Sequence, residues 1–357
     1  MALSKRGRLV AWVAGAVVVI VIAVAAFALA TGKSPSEALG GVVSKIPGVA
    51  DETPTCPLTG QDAPGGKIPN VPVAAVKVEN TDDARPQVGL DKADIVYEEL
   101  VEGGITRFIT LFQCHEAPRV GPVRSARTTD PKVLLQYGRP ILAYSGGTNQ
   151  VEKLVARSGL YDFNESTGGN AFTRDPNRVE PHNLFVNTTK LRKVAGHKAA
   201  KHGAPDPMFT YGDWDGKAHK ATHLEMTFST LNTVAWDWSR KDSAWLRVDN
   251  GQPNVLESGD RVAAQNVIVQ EVKVTTSDIH DVTGSPSPEV TLTGSGKAMV
   301  FRDGKVIAGR WSRPSDGDVT TYETKDGDEI PLVPGQTWVE LYPAKGGFAH
   351  ASIDVSK

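Results

Sequence analysis

Cysteine is almost absent: Cys56 and Cys114 are the only two in 357 residues. Neither has the setting of a catalytic nucleophile, and no cysteine stands at metal-ligand spacing. A cationic excess is missing too. The formal net charge of −2 sets nucleic-acid binding aside, because neutralising backbone phosphates requires a clear positive surplus on some face. No Gly-x-Ser-x-Gly elbow occurs, so the commonest serine-hydrolase arrangement is not encoded. His219 and His223 stand four apart, but Lys220 between them and the lack of helical periodicity place both in a solvated loop without companion ligands. No metal and no cofactor are expected, and no internal repeat is visible.

Charge is also missing from one long stretch. Leu9 to Ala30 carries no charged residue, and as a helix it is about 33 Å long, enough to cross a bilayer. Lys5, Arg6 and Arg8 precede it. A single-pass membrane protein is therefore expected, with residues 1–8 in the cytoplasm and everything beyond the helix outside the cell membrane. A cleaved signal peptide ending at Ala28-Leu29-Ala30 is the competing reading, but the run exceeds a usual signal core. In either case the folded part is extracytoplasmic. In that compartment disulfides persist, and an even cysteine count favours a structural Cys56–Cys114 bridge over two separate buried thiols.

Residues 31–66 mix Gly, Pro, Ser and Thr without apolar periodicity and read as a flexible linker. The expected fold class is α+β, in two domains. Residues 67–215 form a mixed α/β domain. Apolar β-branched runs at 72–78, 93–100, 105–112 and 140–145 read as strands, and the three- and four-residue spacing at 131–138, 149–159 and 188–203 reads as helices. Residues 222–345 form a mostly antiparallel β domain of short alternating runs, punctuated by Asn250-Gly251, Asp303-Gly304 and Asp326-Gly327 turns. Trp236 and Trp238 fall on one strand face. With Trp245, Trp311 and Trp338 they read as core rather than as a sugar-stacking surface.

The chemistry concentrates in GPVRSART, residues 121–128. Arg124 and Arg127 follow a Gly-Pro pair, with Arg107 inside a strand upstream and Arg174, Arg178 and His182 downstream. If these cations converge, something anionic faces them, because unpaired buried charge is strongly disfavoured. The internal candidates are Asp94, Glu98, Glu99 and Glu102. The external candidate is a ligand phosphate or carboxylate, held by the arginines, Ser125, Asn183 and the amides around Gly146-Gly147. His182, following a proline, is the sole candidate acid or base, although a buried hydrogen-bonding role suits it better.

Several of these stretches carry a resemblance. DARPQVGLDKADIVYEELVEGGITRFITLF, RVGPVRSAR and RVEPHNLF, followed by GSGKAMVFRDGKVIAGRW and PGQTWVELYP, closely resemble the YerB-like family of bacterial lipoproteins over roughly residues 57–343. The resemblance implies a membrane-anchored N-terminus and two domains, and it assigns no reaction. This chain departs from the lipoprotein members in having no cysteine at the end of its apolar run to accept a lipid. That departure bears on anchoring, not on export. The expectation is an envelope protein that binds an anionic wall-related ligand or a protein partner through an arginine-containing groove. The alternative is an envelope hydrolase or transferase acting on phosphate- or carboxylate-bearing polymer precursors.

Overall fold

The structure is a computed structural model that describes residues 53–281, 284–344 and 352–356. The N-terminal residues 1–8, the apolar run 9–30 and the linker as far as residue 52 lie outside the described residues. Among the described residues no helix is long and apolar enough to cross a membrane.

The first half contains strands β1 (Ala74–Asn80), β2 (Ile95–Leu100), β3 (Thr106–Phe112), β4 (Ile141–Tyr144), β5 (Tyr161–Asn164), β6 (Phe172–Arg174) and β7 (Leu184–Val186). Among them lie helices α1 (Thr129–Leu134), α2 (Asn149–Arg157) and α3 (Thr188–Ala200). Two helices start on side-chain caps: Thr148 accepts from the Val151 amide and Asn187 from the Lys190 amide, satisfying donors that the first turn leaves open. The second half is built of strands: β8 (His219–Lys220), β9 (His223–Ser229), β10 (Asn232–Ser239), β11 (Ala244–Asp249), β12 (Gln252–Pro253), β13 (Ala263–Ala264) and β14 (Asn266–His280), then β15 (Pro286–Thr291), β16 (Gly294–Arg302), β17 (Lys305–Arg313), β18 (Thr321–Glu323), β19 (Thr337–Pro343) and β20 (Ser352–Ser356). His219 and His223 thus sit on strands, not in the loop their spacing suggested, and the His223 Nδ1 pairs with Asp237 Oδ1 at 2.6 Å. No group of side chains suited to hold a metal ion occurs among the described residues.

The two halves keep their different textures, mixed and then all-strand, yet they share one twelve-stranded sheet. Its order is β18-β17-β16-β14-β19-β2-β3-β1-β4-β5, with β15 beside β14 and β8 beside β17. The junction is β19, which runs parallel to β14 on one side and to β2 on the other, placing Thr337 opposite Ile95 and Glu340 opposite Glu98. A six-stranded sheet, β12-β11-β10-β9-β20 with β13 beside β11, forms separately. Its Trp236 meets Trp338 of the large sheet edge-on at 5.1 Å.

Strands β1, β2 and β3 are buried along their whole length. Successive side chains point to opposite faces, so Val76, Val78 and Phe108 join the core shared with the smaller sheet, while Ala75, Ile109 and Tyr97 join a second core with Val133 of α1 and Val155 of α2. Covering both faces explains the near-continuous apolar runs. It also means that every charged residue on these strands is interior. Trp236, Trp245 and Trp338 are fully buried and Trp311 nearly so, as core.

Cys56 and Cys114 form a disulfide with Cα atoms 5.9 Å apart. It ties the start of the body to the residues just after β3, so Cys56, Leu58 and Thr59 are buried rather than part of the linker in which the sequence placed them.

Candidate functional site: an arginine cluster beside a cleft

The GPVRSART stretch works as an irregular strand. Where β4 stops pairing with β1 at Val76, residues 122–124 take over the free edge: the Glu79 amide donates to Pro122 O and the Arg124 amide to Lys77 O, each at 2.9 Å. On its other side the Val123 amide donates to Leu184 O at 2.7 Å, and the Ala126 amide to Gly146 O at 2.9 Å. Gly121 is required here. At φ 153°, an added Cβ would stand 2.8 Å from Leu184 O and 2.9 Å from Val123 N, closer than such atoms approach. The carbonyl of Gly146 thus anchors the arginine stretch, a role different from the anion-cradling amide expected of Gly146-Gly147.

Three guanidinium groups converge. Arg107 lies on β3 between Glu79 of β1 and Glu99 of β2, its register partners on either side. Neither carboxylate contacts it. Glu79 faces Arg124, 3.0 Å from its Nε, and His182, 2.8 Å from its Nδ1. Glu99 turns to Lys77, which also meets Asp130 at 2.7 Å. One lysine facing two buried acids leaves an excess of negative charge, and burial with Asp130 pushes Glu99 above its ordinary value despite Lys77. Arg127 pairs with Glu102 at 2.6 Å. Burial acts to raise the Glu102 carboxyl, but Arg127 and Ser287 outweigh it and hold it low.

Arg107 is left with one bond, from Nη1 to the Ser125 carbonyl at 3.2 Å. Its side chain is more than nine-tenths buried and its Nε has no partner. The Arg124 Nε is likewise close to Glu79 without being aimed at it, an ion pair by distance but not an aligned hydrogen bond. Burial, then the charges of Arg127 and Arg124, lower the Arg107 pKa to about 10. Of the three cations, Arg124 faces Glu79 and Arg127 faces Glu102, while Arg107 has no carboxylate partner among the described residues.

Sequence reasoning misplaced several acids. Glu98 and Glu99 are adjacent, so they face opposite sides of the sheet, and Glu98 pairs with Arg247 at 2.6 Å. Asp94 accepts from the Cys114 amide at 3.1 Å and from His115 at 2.5 Å, securing the chain beside the disulfide rather than balancing arginines. Hydrogen bonding to Asp94 raises the His115 pKa. Glu79, Lys77, Asp130 and Arg247 were not foreseen. For Lys77 and Glu79 the signal was present: two charges two apart inside an apolar strand must share a buried face.

Arg174 and Arg178 stand apart from the cluster. Arg174 is held by Glu165 at 2.6 Å, Glu180 at 3.1 Å and the Asn183 Oδ1 at 2.7 Å. Arg178 donates to the Pro86 carbonyl at 2.6 Å and meets Glu257 at 3.1 Å. This second arginine lines a cleft of about 560 Å³ with Asp83, Arg85, Glu180 and His182, and the exposed Val179 sits at its edge. His182 on Glu79 therefore links the cleft to Arg124. Ser125 contributes its carbonyl to Arg107.

Two family profiles match in succession, both described as a protein of unknown function (DUF3048): the N-terminal domain over residues 58–201 and the C-terminal domain over 224–339. The chain is also 32% identical over 294 residues to "Putative lipoprotein YerB" of Bacillus subtilis (strain 168), covering 80% of this chain and 86% of that protein. The chain belongs to this YerB-like, DUF3048 family. The crystal structure of the YerB protein from Bacillus subtilis matches with a TM-score of 0.71 at 30% identity, over 84% of this chain and 99% of that one. Within the family frame, Arg107, Arg124, Arg127 and His182 all fall in the N-terminal match, and Arg247 in the C-terminal one.

Proposed function

We propose that this chain is a membrane-anchored, extracytoplasmic protein of the cell envelope that binds a phosphate- or carboxylate-bearing ligand at the Arg107–Arg124–Arg127 cluster and the adjoining His182 cleft. The placement rests on the uncharged run 9–30, on the disulfide and on the relative named as a lipoprotein. A lipid on cysteine does not suit this chain, because both cysteines of the sequence are joined to each other, so the apolar run is the anchor. Phosphate-bearing wall polymers and their carriers are the anions that such a location offers.

The observation that carries the reading is Arg107: a buried guanidinium without a carboxylate and with an Nε that lacks an acceptor. Buried polar groups are nearly always satisfied, and a guanidinium fork matches phosphate or carboxylate. Calorimetric titration of the full chain in detergent with pyrophosphate, a uronic acid and soluble wall fragments tests it. Binding that Arg124→Ala weakens at least about tenfold supports the site, and the three arms separate phosphate from carboxylate. Failure of all three to bind overturns it.

One contact favours a second reading. Glu79 holds His182 at 2.8 Å in the cleft, the way a carboxylate orients a catalytic imidazole. In that reading the arginines stabilise developing charge on a polymer precursor and His182 moves the proton. Turnover that disappears in His182→Gln while binding persists would select it; binding without turnover selects the first.

A further inference from the structure

The last described strand, β20, lies against the outer edge of β9, with Ile353 opposite Met226, Asp354 opposite Glu225 and Val355 opposite Leu224. It is five residues long and, among the described residues, hydrogen-bonded on one side only. Ile353 and Val355 face inward, half-buried, against the core that contains Leu224, Met226 and Trp236.

Two features make this strand a poor match for its place. Asp354 and Glu225 are direct cross-strand partners, both exposed, and neither has an ion pair among the described residues. Like charges in that relation oppose pairing. Beside the strand opens a half-enclosed groove of about 630 Å³, lined by Ile353 and Val355 together with Met299, Tyr342, Lys297 and Glu271. Ile353 and Val355 are branched and short, so larger apolar side chains at the two inward positions would bury more surface in that groove.

We propose that the edge of β9 is a docking site for an extended peptide segment of a partner protein, carrying a large apolar, a basic and a second large apolar residue in succession, which displaces Ser352–Ser356. The main chain of β9 supplies the hydrogen bonds of an added strand. The two apolar side chains enter the groove beside Met299 and Tyr342. The basic residue stands opposite Glu225, where attraction replaces the present repulsion. This site lies where the edge of the smaller sheet meets β14, β16 and β19 of the large one, and it shares no residue with the arginine cluster.

The test uses the full chain in detergent and two fluorescein-labelled peptides, Ser-Phe-Lys-Phe-Ser-Lys and Ser-Phe-Asp-Phe-Ser-Lys, followed by anisotropy. Saturable binding of the first, at least about fivefold tighter than the second, is expected. Asp354→Lys reinforces the resident strand and weakens the first peptide, while Glu225→Lys reverses the order of the two. Should Glu225→Lys not fold, Glu225→Gln equalises the peptides instead. Absence of saturable binding, or equal affinity of the two peptides for the unaltered chain, overturns the proposal. A concentration-dependent dimer that excludes both peptides also overturns it, assigning the edge to the tail of a second copy.

Discussion

Glu340 of β19 lies directly across the parallel pairing from Glu98 of β2, and both carboxyl groups reach the same guanidinium, Arg247, at 3.2 and 2.6 Å. Asp249 meets Arg247 at 2.8 Å and Arg85 at 3.4 Å. All but Arg85 are fully or almost fully buried. Three carboxyls against two arginines balance when one proton stays on the acids. Burial, then the neighbouring Glu98 carboxylate, pushes Glu340 well above its ordinary range even with Arg247 beside it.

Glu340 is therefore the proton holder at the seam between the two halves of the sheet. Its folded-state pKa is raised, so the native state binds the extra proton above the ordinary carboxyl range and the unfolded state does not. The contribution is complete below about pH 4.5 and is lost as pH rises through the elevated folded value. Unfolding by denaturant at several pH values should show stability falling across that window. Glu340→Gln should reduce the slope at little cost, buried Glu99 supplying what remains, whereas Arg247→Met, which leaves Glu98 and Asp249 uncompensated, should cost about 3–5 kcal/mol. A slope unchanged in Glu340→Gln would place the proton elsewhere.

Arg107→Met separates folding from binding. Replacing a buried, incompletely bonded cation by an apolar side chain of similar length should leave stability unchanged or raise it by roughly 1–4 kcal/mol, while affinity for the anion falls. A loss above about 2 kcal/mol would mean that the bond to Ser125 serves the fold.

Removing the disulfide by Cys56→Ser with Cys114→Ser frees a loop of 58 residues. Chain entropy sets the cost at about 4 kcal/mol, read as a lower Tm. The same loss should appear in unaltered protein under reductant.

Gly121→Ala forces a methyl against Leu184 O and the Val123 amide. A destabilisation of about 1–3 kcal/mol is expected, with weakened anion binding because Arg124 is three residues on. Equal stability of the variant would show that the segment shifts without penalty.

Local patterns determined a good deal of this protein. The runs at 72–78, 93–100, 105–112 and 140–145 became β1 to β4, the three helical spacings became α1 to α3, and Trp236 and Trp245 entered the core as their alternation required. These follow from side-chain period and turn chemistry, which act between neighbours in sequence. The convergence of Arg107, Arg124 and Arg127 was also legible in outline, since glycine, proline and arginine recurred around one strand pair. Which acid met which cation was not. Glu79 rather than Glu98 took Arg124, because strand register and the choice of face decide contact, and both are fixed by partners far along the chain. Likewise nothing local announced that β19 would enter beside β2 and set Glu340 against Glu98. Pairing across some 240 residues is selected only when the whole sheet closes, and it is that closure which buries these charges and gives them their chemistry.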